Sequence, residues 1–134
     1  MKEELLMKAS LLKQESEETE KGLDFVNEQI SELEKFLQAL DSIKDKNNRE
    51  ILAPLGKGVF MKAKKEDSKL FIEVGDGVVV RKTPEATQKV VEEQIKKFQD
   101  ARIQLKAQLE EYTSQFSELL KEVEKLKKEK KNRL

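Results

Sequence analysis

The sequence contains no cysteine and no histidine, and this absence removes most of the usual chemistry of enzyme sites. Without these side chains the chain lacks the common ligands of zinc, copper and iron, and the common general base near neutral pH. Glycine (5) and proline (2) are also scarce among 134 residues, which leaves room for long uninterrupted helices. We therefore expect neither an enzyme, nor a metal site, nor a cofactor.

Long apolar runs are missing as well. No stretch is long and apolar enough to cross a membrane, and the N-terminus does not have the charged, apolar and small-residue regions of a secretory signal. Charged residues make up 40% of the chain and the mean hydropathy is -0.73, so a thick globular core is excluded. The 27 basic and 27 acidic residues balance, and no segment is basic enough to indicate nucleic acid. We expect one elongated domain over 1–134, in the cytoplasm, with no membrane partner.

Two apolar stripes, one towards each end of the chain, recur in steps of three and four residues. The first runs from Leu5 to Leu40 and is most regular after Leu23, and the second runs from Val91 to Leu126. Sustained over four or more heptads, this period is typical of a coiled coil. It predicts an N-terminal helix over 1–44 and a C-terminal helix over 84–131. Because the two helices have similar lengths, an antiparallel hairpin is the simplest way to pair them.

Between the stripes the apolar period changes to two and β-branched residues become frequent, which indicates strands. The connectors Gly56-Lys57-Gly58, Lys65–Ser68 and Gly75-Asp76-Gly77 are short enough for tight turns. The fold class is therefore α+β, a long antiparallel coiled-coil helical hairpin with a small β-sheet of two hairpins at the bend, over 51–82. The four candidate strands are Ile51–Leu55, Val59–Lys64, Lys69–Val74 and Val78–Lys82.

The clearest functional signal is a set of apolar residues that lie outside the two stripes. Leu6, Met7, Leu11 and Leu120 lie outside the heptad frame and close to the free ends of the two helices. On a pair of helices such residues have no second layer to bury them, so they favour an adaptable surface that binds other protein chains. Scattered surface residues, or a contact with another subunit, remain the alternatives.

The strand segment provides a second candidate site. A lone four-stranded sheet with open edges and one apolar face is prone to aggregate unless it pairs with another chain. We therefore favour oligomerisation through this segment over a sheet that is closed by the helix bases. The segment Lys121–Arg133 has seven basic and three acidic residues, and its alternating signs fit an exposed helix face better than an anion-binding surface.

The two hairpin stretches resemble the central segment of the alpha class of prefoldin, whereas the beta class has a single hairpin. They read APLGKGVFMKA over Ala53–Ala63 and FIEVGDGVVV over Phe71–Val80. With the flanking helices, the resemblance covers nearly the whole chain. The hairpin segment is its specific part, because long amphipathic helices alone would match many coiled coils.

The resemblance implies an archaeal-type chaperone subunit that works without ATP. In that family the hairpins assemble into a β-barrel platform, and the tips of the helices hold unfolded proteins before these pass to a group II chaperonin. The implied client-binding residues at the tips are Leu5, Leu6, Met7, Leu11, Leu12, Leu119, Leu120, Val123 and Leu126. The implied oligomerisation residues are Val59, Phe60, Met61, Ala63, Leu70, Phe71, Ile72, Val74, Val78, Val79 and Val80.

Two assemblies and one rival function stay open at this point. The resemblance allows a hexamer of two alpha with four beta subunits, or a filament made of copies of one chain, as in the variant called gamma prefoldin. The rival is a structural coiled-coil adaptor that assembles or joins partners but holds no client.

Overall fold

A computed structural model of the chain has two long helices and, between them in sequence, four strands. It describes residues 2–45, 47 and 49–132. The elements in chain order are α1 (Lys2–Lys44), β1 (Glu50–Gly56), β2 (Val59–Lys64), β3 (Leu70–Gly75), β4 (Val78–Lys82) and α2 (Pro84–Asn132). The predicted α+β fold class is confirmed. The chain divides into two compact units, a helical unit up to Ile30 and from Lys97, and a strand unit over Ser31–Lys96. A single domain over 1–134 remains a prediction.

In the strand unit, α2 begins where the sequence indicates a helix start. The Thr83 Oγ1 accepts a hydrogen bond from the backbone N–H of Ala86 at 3.1 Å, as an N-terminal cap does. Pro84 follows at the first helical position, where the missing N–H costs nothing. Pro84, Thr87, Val91 and Ile95 are buried along the first turns of α2. Leu40 of α1, only 1% exposed, completes the buried apolar residues of this unit.

Each pair of strands is an antiparallel hairpin closed by a two-residue turn. The φ angles are 51° at Lys57 and 76° at Gly58, and 50° at Asp76 and 75° at Gly77. Positive φ at both central residues is the type I′ turn, whose twist matches that of the strands. A β-bulge precedes each turn, after Pro54 and after Glu73.

The hairpins form two separate two-stranded sheets, β1 with β2 and β3 with β4, rather than the single four-stranded sheet that we expected. The segment that joins them is tied to the end of α1 instead of forming a third hairpin turn. The Lys65 Nζ donates to the backbone carbonyls of Ile43 at 2.9 Å and Asp45 at 3.0 Å, which lack helical partners at a helix C-terminus. After the end of α1, the Asp45 carboxylate accepts a hydrogen bond from the backbone N–H of Asn47, while Lys46 and Asn48 lie outside the described residues.

The two apolar stripes lie along α1 and α2 and extend through both units. Every predicted stripe position in α1, in both units, is buried or half-buried, and so is every one in α2 except Phe116. Phe116 lines a surface cavity with Ser16 of α1, whose small side chain leaves the aromatic ring partly uncovered. At Gly22, a Cβ atom would lie 3.8 Å from both methyl carbons of Leu105. The heptad pattern thus predicts burial position by position.

Candidate functional site

The predicted client-binding residues fall into two groups in the helical unit. Those outside the stripes, Leu6, Met7, Leu11 and Leu120, are between 52% and 71% exposed. Those within the stripes are buried or half-buried: Leu5, Leu12, Leu119, Val123 and Leu126. The second group forms the contact between the helices, so only the first group offers most of its side-chain surface to another protein. Their role in binding remains a prediction.

Three surface cavities lie between the helices of this unit, and they show which predicted residues come together. We name them the end, middle and inner cavity, with volumes of about 220, 380 and 330 Å³. The end cavity is lined by Lys2, Val123, Leu126, Lys127, Glu129 and Lys130. The middle cavity is lined by Lys8, Leu11, Leu12, Glu15, Gln115, Glu118, Leu119 and Glu122. The inner cavity is lined by Leu12, Lys13, Ser16, Glu17, Glu20, Tyr112, Thr113 and Phe116.

The cavities fix the direction of the helices in this unit. Residue numbers rise along α1 from the end cavity to the inner cavity and fall along α2 over the same path, so the helices are antiparallel here. Leu11, Leu12 and Leu119 line the middle cavity, and Val123 and Leu126 line the end cavity. Leu5, Leu6, Met7 and Leu120 line none of the three. The predicted tip residues therefore share one region of the helical unit, and five of them line its cavities.

The predicted oligomerisation residues lie in the strand unit, and most of them are exposed. Residues that pair across an antiparallel ladder share a face of the sheet. In the first hairpin, the pairs Leu52 with Lys62 and Pro54 with Phe60 form an exposed face. In the second, the pairs are Phe71 with Arg81 and Glu73 with Val79. The exposed members of the predicted set are Val59, Phe60, Met61, Phe71, Val74, Val78 and Val79, and the half-buried ones are Ala63, Leu70, Ile72 and Val80.

On the second hairpin, a charged side chain lies over an exposed aromatic ring. The Arg81 guanidinium lies 5.1 Å from the centroid of the Phe71 ring, within the range of a cation–π contact. Its Nη2 donates to Asp67 Oδ2 at 2.9 Å, and Asp67 Oδ1 accepts from the Lys69 backbone N–H at 2.9 Å. The segment between the hairpins thus fixes an arginine over the exposed ring.

Sequence reasoning missed several exposed apolar residues. Leu52 and Leu55 lie on β1, outside the predicted oligomerisation set, although the apolar period of two continues through this strand. Phe25, Phe36, Val90 and Ile103 lie outside the stripes and away from the N-terminal end of α1 and the C-terminal end of α2. These four residues are found from the sequence when apolar residues outside the stripes are identified along the whole of both helices and not only near the free ends.

Over residues 2–45, 47 and 49–132 there is no group of three or more acidic side chains placed to hold a metal ion. None of the helices in the described ranges is long and apolar enough to span a membrane.

Comparison with known proteins gives consistent matches. The family model for a prefoldin subunit matches residues 12–129. Prefoldin subunit alpha 2 of Thermococcus kodakarensis is 36% identical over 83 residues, which cover 61% of this chain and 58% of that protein. Prefoldin subunit alpha of Methanobrevibacter smithii is 23% identical over 124 residues, covering 92% and 85%. The match therefore spans less than two thirds of the Thermococcus relative and most of the Methanobrevibacter one.

The fold is similar to that of a solved archaeal assembly. A chain in the cryo-EM structure of filamentous PFD from Methanocaldococcus jannaschii superposes with a TM-score of 0.72. The superposition covers 87% of this chain and 98% of that chain, at 21% sequence identity. At this identity the likeness supports the fold alone.

Proposed function

Because the chain belongs to the prefoldin family, we propose that it is a cytoplasmic chaperone subunit that holds non-native proteins without ATP and prevents their aggregation. In this proposal the ends of the helices bind the client, the hairpins join the subunits, and the client passes to a group II chaperonin. No catalytic step is required of any side chain.

The observation that carries the proposal is the exposure of Leu6, Met7, Leu11 and Leu120 in the helical unit. Fully burying one such side chain is worth about 1.5–3 kcal/mol, and here most of that free energy is available to a binding partner. Leucine and methionine present flexible apolar surface, and methionine adapts to irregular shapes. Such a surface suits exposed apolar segments of unrelated proteins better than it suits one partner of fixed shape.

Assembly through the hairpins is the second part of the proposal. Each hairpin exposes an apolar face, and each strand has one ladder partner, so its other edge is open to pairing with a strand of another chain. An edge that meets a beta subunit would give a closed hexamer, whereas an edge that meets a copy of the same chain, without closure, would give a filament. The size of the purified chain, alone and with a beta-type subunit, distinguishes these outcomes by light scattering and electron microscopy.

The decisive experiment separates client binding from assembly. A variant with Leu6→Ser, Met7→Ser, Leu11→Ser and Leu120→Ser should lose most of its ability to suppress client aggregation, followed by light scattering of a chemically unfolded client. Its assembly should not change, because none of the four residues lies in the strand unit.

The matched control carries Phe25→Ser and Ile103→Ser, which remove exposed apolar surface from the same unit away from the helix ends. It should retain suppression. If the four-residue variant suppresses aggregation normally but fails to assemble or to bind a partner subunit, the structural adaptor is the correct function.

A further inference from the structure

The end cavity differs in charge from the two cavities beside it. Among the residues that the structure describes, Lys2, Lys127 and Lys130 line it together with one acidic residue, Glu129. The acidic residues of the middle cavity are Glu15, Glu118 and Glu122, against one lysine, Lys8. The inner cavity has Glu17 and Glu20 against Lys13. The sign of the charge therefore reverses between the end cavity and its neighbours, although apolar residues line all three.

The helix dipole does not account for this reversal. Lysines near the C-terminus of α2 are favoured by the partial negative charge there, which applies to Lys130 in the last turn. Lys2 stands at the first position of α1, where the partial positive charge disfavours a lysine and favours the acidic Glu3 and Glu4 that follow. Lys2 nevertheless lines the same cavity as Lys127 and Lys130.

The apolar part of the end cavity is formed by Val123 and Leu126, and its volume is about 220 Å³. An apolar cavity on the order of 150 Å³ accepts a benzene molecule, so one large apolar side chain fits here. The charged side chains around the cavity would attract or repel the residues that flank this side chain in the bound segment.

We propose that the end cavity takes an apolar side chain of a non-native protein whose neighbouring residues are acidic, so that the helix ends select acidic apolar segments. This inference rests on the proposed client binding. Exposed pairs between lysine and carboxylate are individually weak, so two or three of them together give roughly a three- to tenfold preference. The acidic middle cavity repels an acidic flank, so it sets the orientation of the bound segment, with the flank on the side of the lysines.

A protein segment suits this site better than the other anionic partners. None of the described residues that line the end cavity is aromatic, so none can stack on a nucleic-acid base. An anionic membrane surface would also meet the carboxylates of the middle cavity, on the same pair of helices. Vesicles that contain phosphatidylserine therefore serve as a competitor in the test.

The test uses the full-length protein and fluorescent peptides that share one apolar core and differ only in their flanks, which are glutamate, serine or lysine. Fluorescence anisotropy should give roughly three- to tenfold tighter binding for glutamate flanks than for serine flanks, and weaker binding for lysine flanks. The preference should shrink as salt is raised from about 0.05 M to about 0.5 M, because the Debye length falls.

Two double variants with the same charge change assign the effect to the cavity. Lys127→Glu with Lys130→Glu should reverse the preference for glutamate flanks. The control, Lys128→Glu with Lys131→Glu, has the same spacing on the same helix but lies outside the cavity lining, and it should keep the preference. Both variants should still bind the peptide with serine flanks.

Each other outcome overturns a defined part of the inference. Equal affinity for all flanks would overturn the acidic selection and leave client binding intact, whereas no binding of any peptide would overturn the proposed function itself. Reversal in the control variant would assign the effect to the general charge of α2 rather than to the cavity. Full displacement of the glutamate-flanked peptide by anionic vesicles would make a membrane surface the partner.

Discussion

The helical unit and the strand unit both expose large apolar side chains, but they differ in whether the backbone can form hydrogen bonds with a partner. In the helices the backbone hydrogen bonds are made within the element, so a partner meets side chains only. In the hairpins each strand pairs on one edge, and the other edge presents backbone groups to a neighbouring chain.

This difference separates two kinds of binding. Contacts through flexible side chains tolerate many shapes, which suits clients of varied sequence. Contacts through a strand edge require matching direction and register, which suits a fixed subunit partner. We therefore propose varied, reversible binding for the helical unit and specific assembly for the strand unit, and variants of each unit test this division of roles.

The largest effect is expected from charging the exposed hairpin faces. Phe60→Asp with Phe71→Asp would place two carboxylates in the proposed subunit contact, and unpaired buried charges cost several kcal/mol. Assembly should weaken more than a hundredfold by light scattering. The helices should remain folded by circular dichroism, because these side chains are 59% and 70% exposed.

The control is Phe25→Asp, an aromatic residue of similar exposure, 56%, in the helical unit. It should assemble normally. If Phe25→Asp disrupts assembly as strongly as the hairpin variant, the division of roles between the two units is wrong.

A second variant tests the difference between residues inside and outside the apolar stripes. Leu40→Ala removes a side chain that is almost fully buried, so it should lower the free energy of unfolding by about 2–5 kcal/mol. Leu120→Ala, outside the stripes, should change it by less than about 0.5 kcal/mol. Urea denaturation followed by circular dichroism measures both, and similar losses would mean that Leu120 is buried against another chain.

Much of this organisation could be predicted from the sequence because it depends on the spacing of apolar and turn residues that are close together in the chain. The stripe from Leu5 to Leu40 specifies which helix face is buried, and the two Gly-X-Gly turns specify the hairpins. The resemblance of Ala53–Ala63 to alpha-class prefoldin is confirmed by the family match and the curated alpha subunits. These features need no knowledge of which distant residues meet.

What sequence reasoning missed depends on such distant contacts. The separation of the two sheets accompanies the bonds from Lys65 to the end of α1, which join residues about twenty positions apart. The charge reversal between cavities depends on the register that brings Lys2 to Lys127 and Lys130. The alternating charges in Lys121–Arg133 predict only an exposed helix face, because the sequence of one helix does not show which residues of the other helix lie opposite it.

A moderate effect is expected from the arginine over the Phe71 ring. Arg81→Gln removes the cation–π contact and the ion pair with Asp67, each worth about 0.2–1 kcal/mol where exposed. If this face joins subunits, assembly should weaken about three- to tenfold in sedimentation equilibrium, far less than with the double variant Phe60→Asp and Phe71→Asp. Asp67→Asn, which keeps the cation–π contact, should weaken assembly by less. An equal effect of Asp67→Asn would mean that the carboxylate, rather than the ring contact, supports assembly.

The smallest effects concern two glycines, for which free space and backbone conformation give opposite expectations. At Gly22 a Cβ atom makes ordinary contact with Leu105 at 3.8 Å, and the residue lies in a regular helix, so Gly22→Ala should stabilise the protein by about 0.5–1 kcal/mol. At Gly58 nothing lies within 4 Å of a Cβ atom, but φ is +76°, so Gly58→Ala should destabilise the hairpin by about 1–2 kcal/mol. Thermal unfolding measures both changes. A loss of stability in Gly22→Ala would mean that the helices approach there too closely for a side chain. No loss in Gly58→Ala would mean that the strand unit does not depend on its type I′ turn, and that hairpin geometry constrains assembly less than the contrast between the units implies.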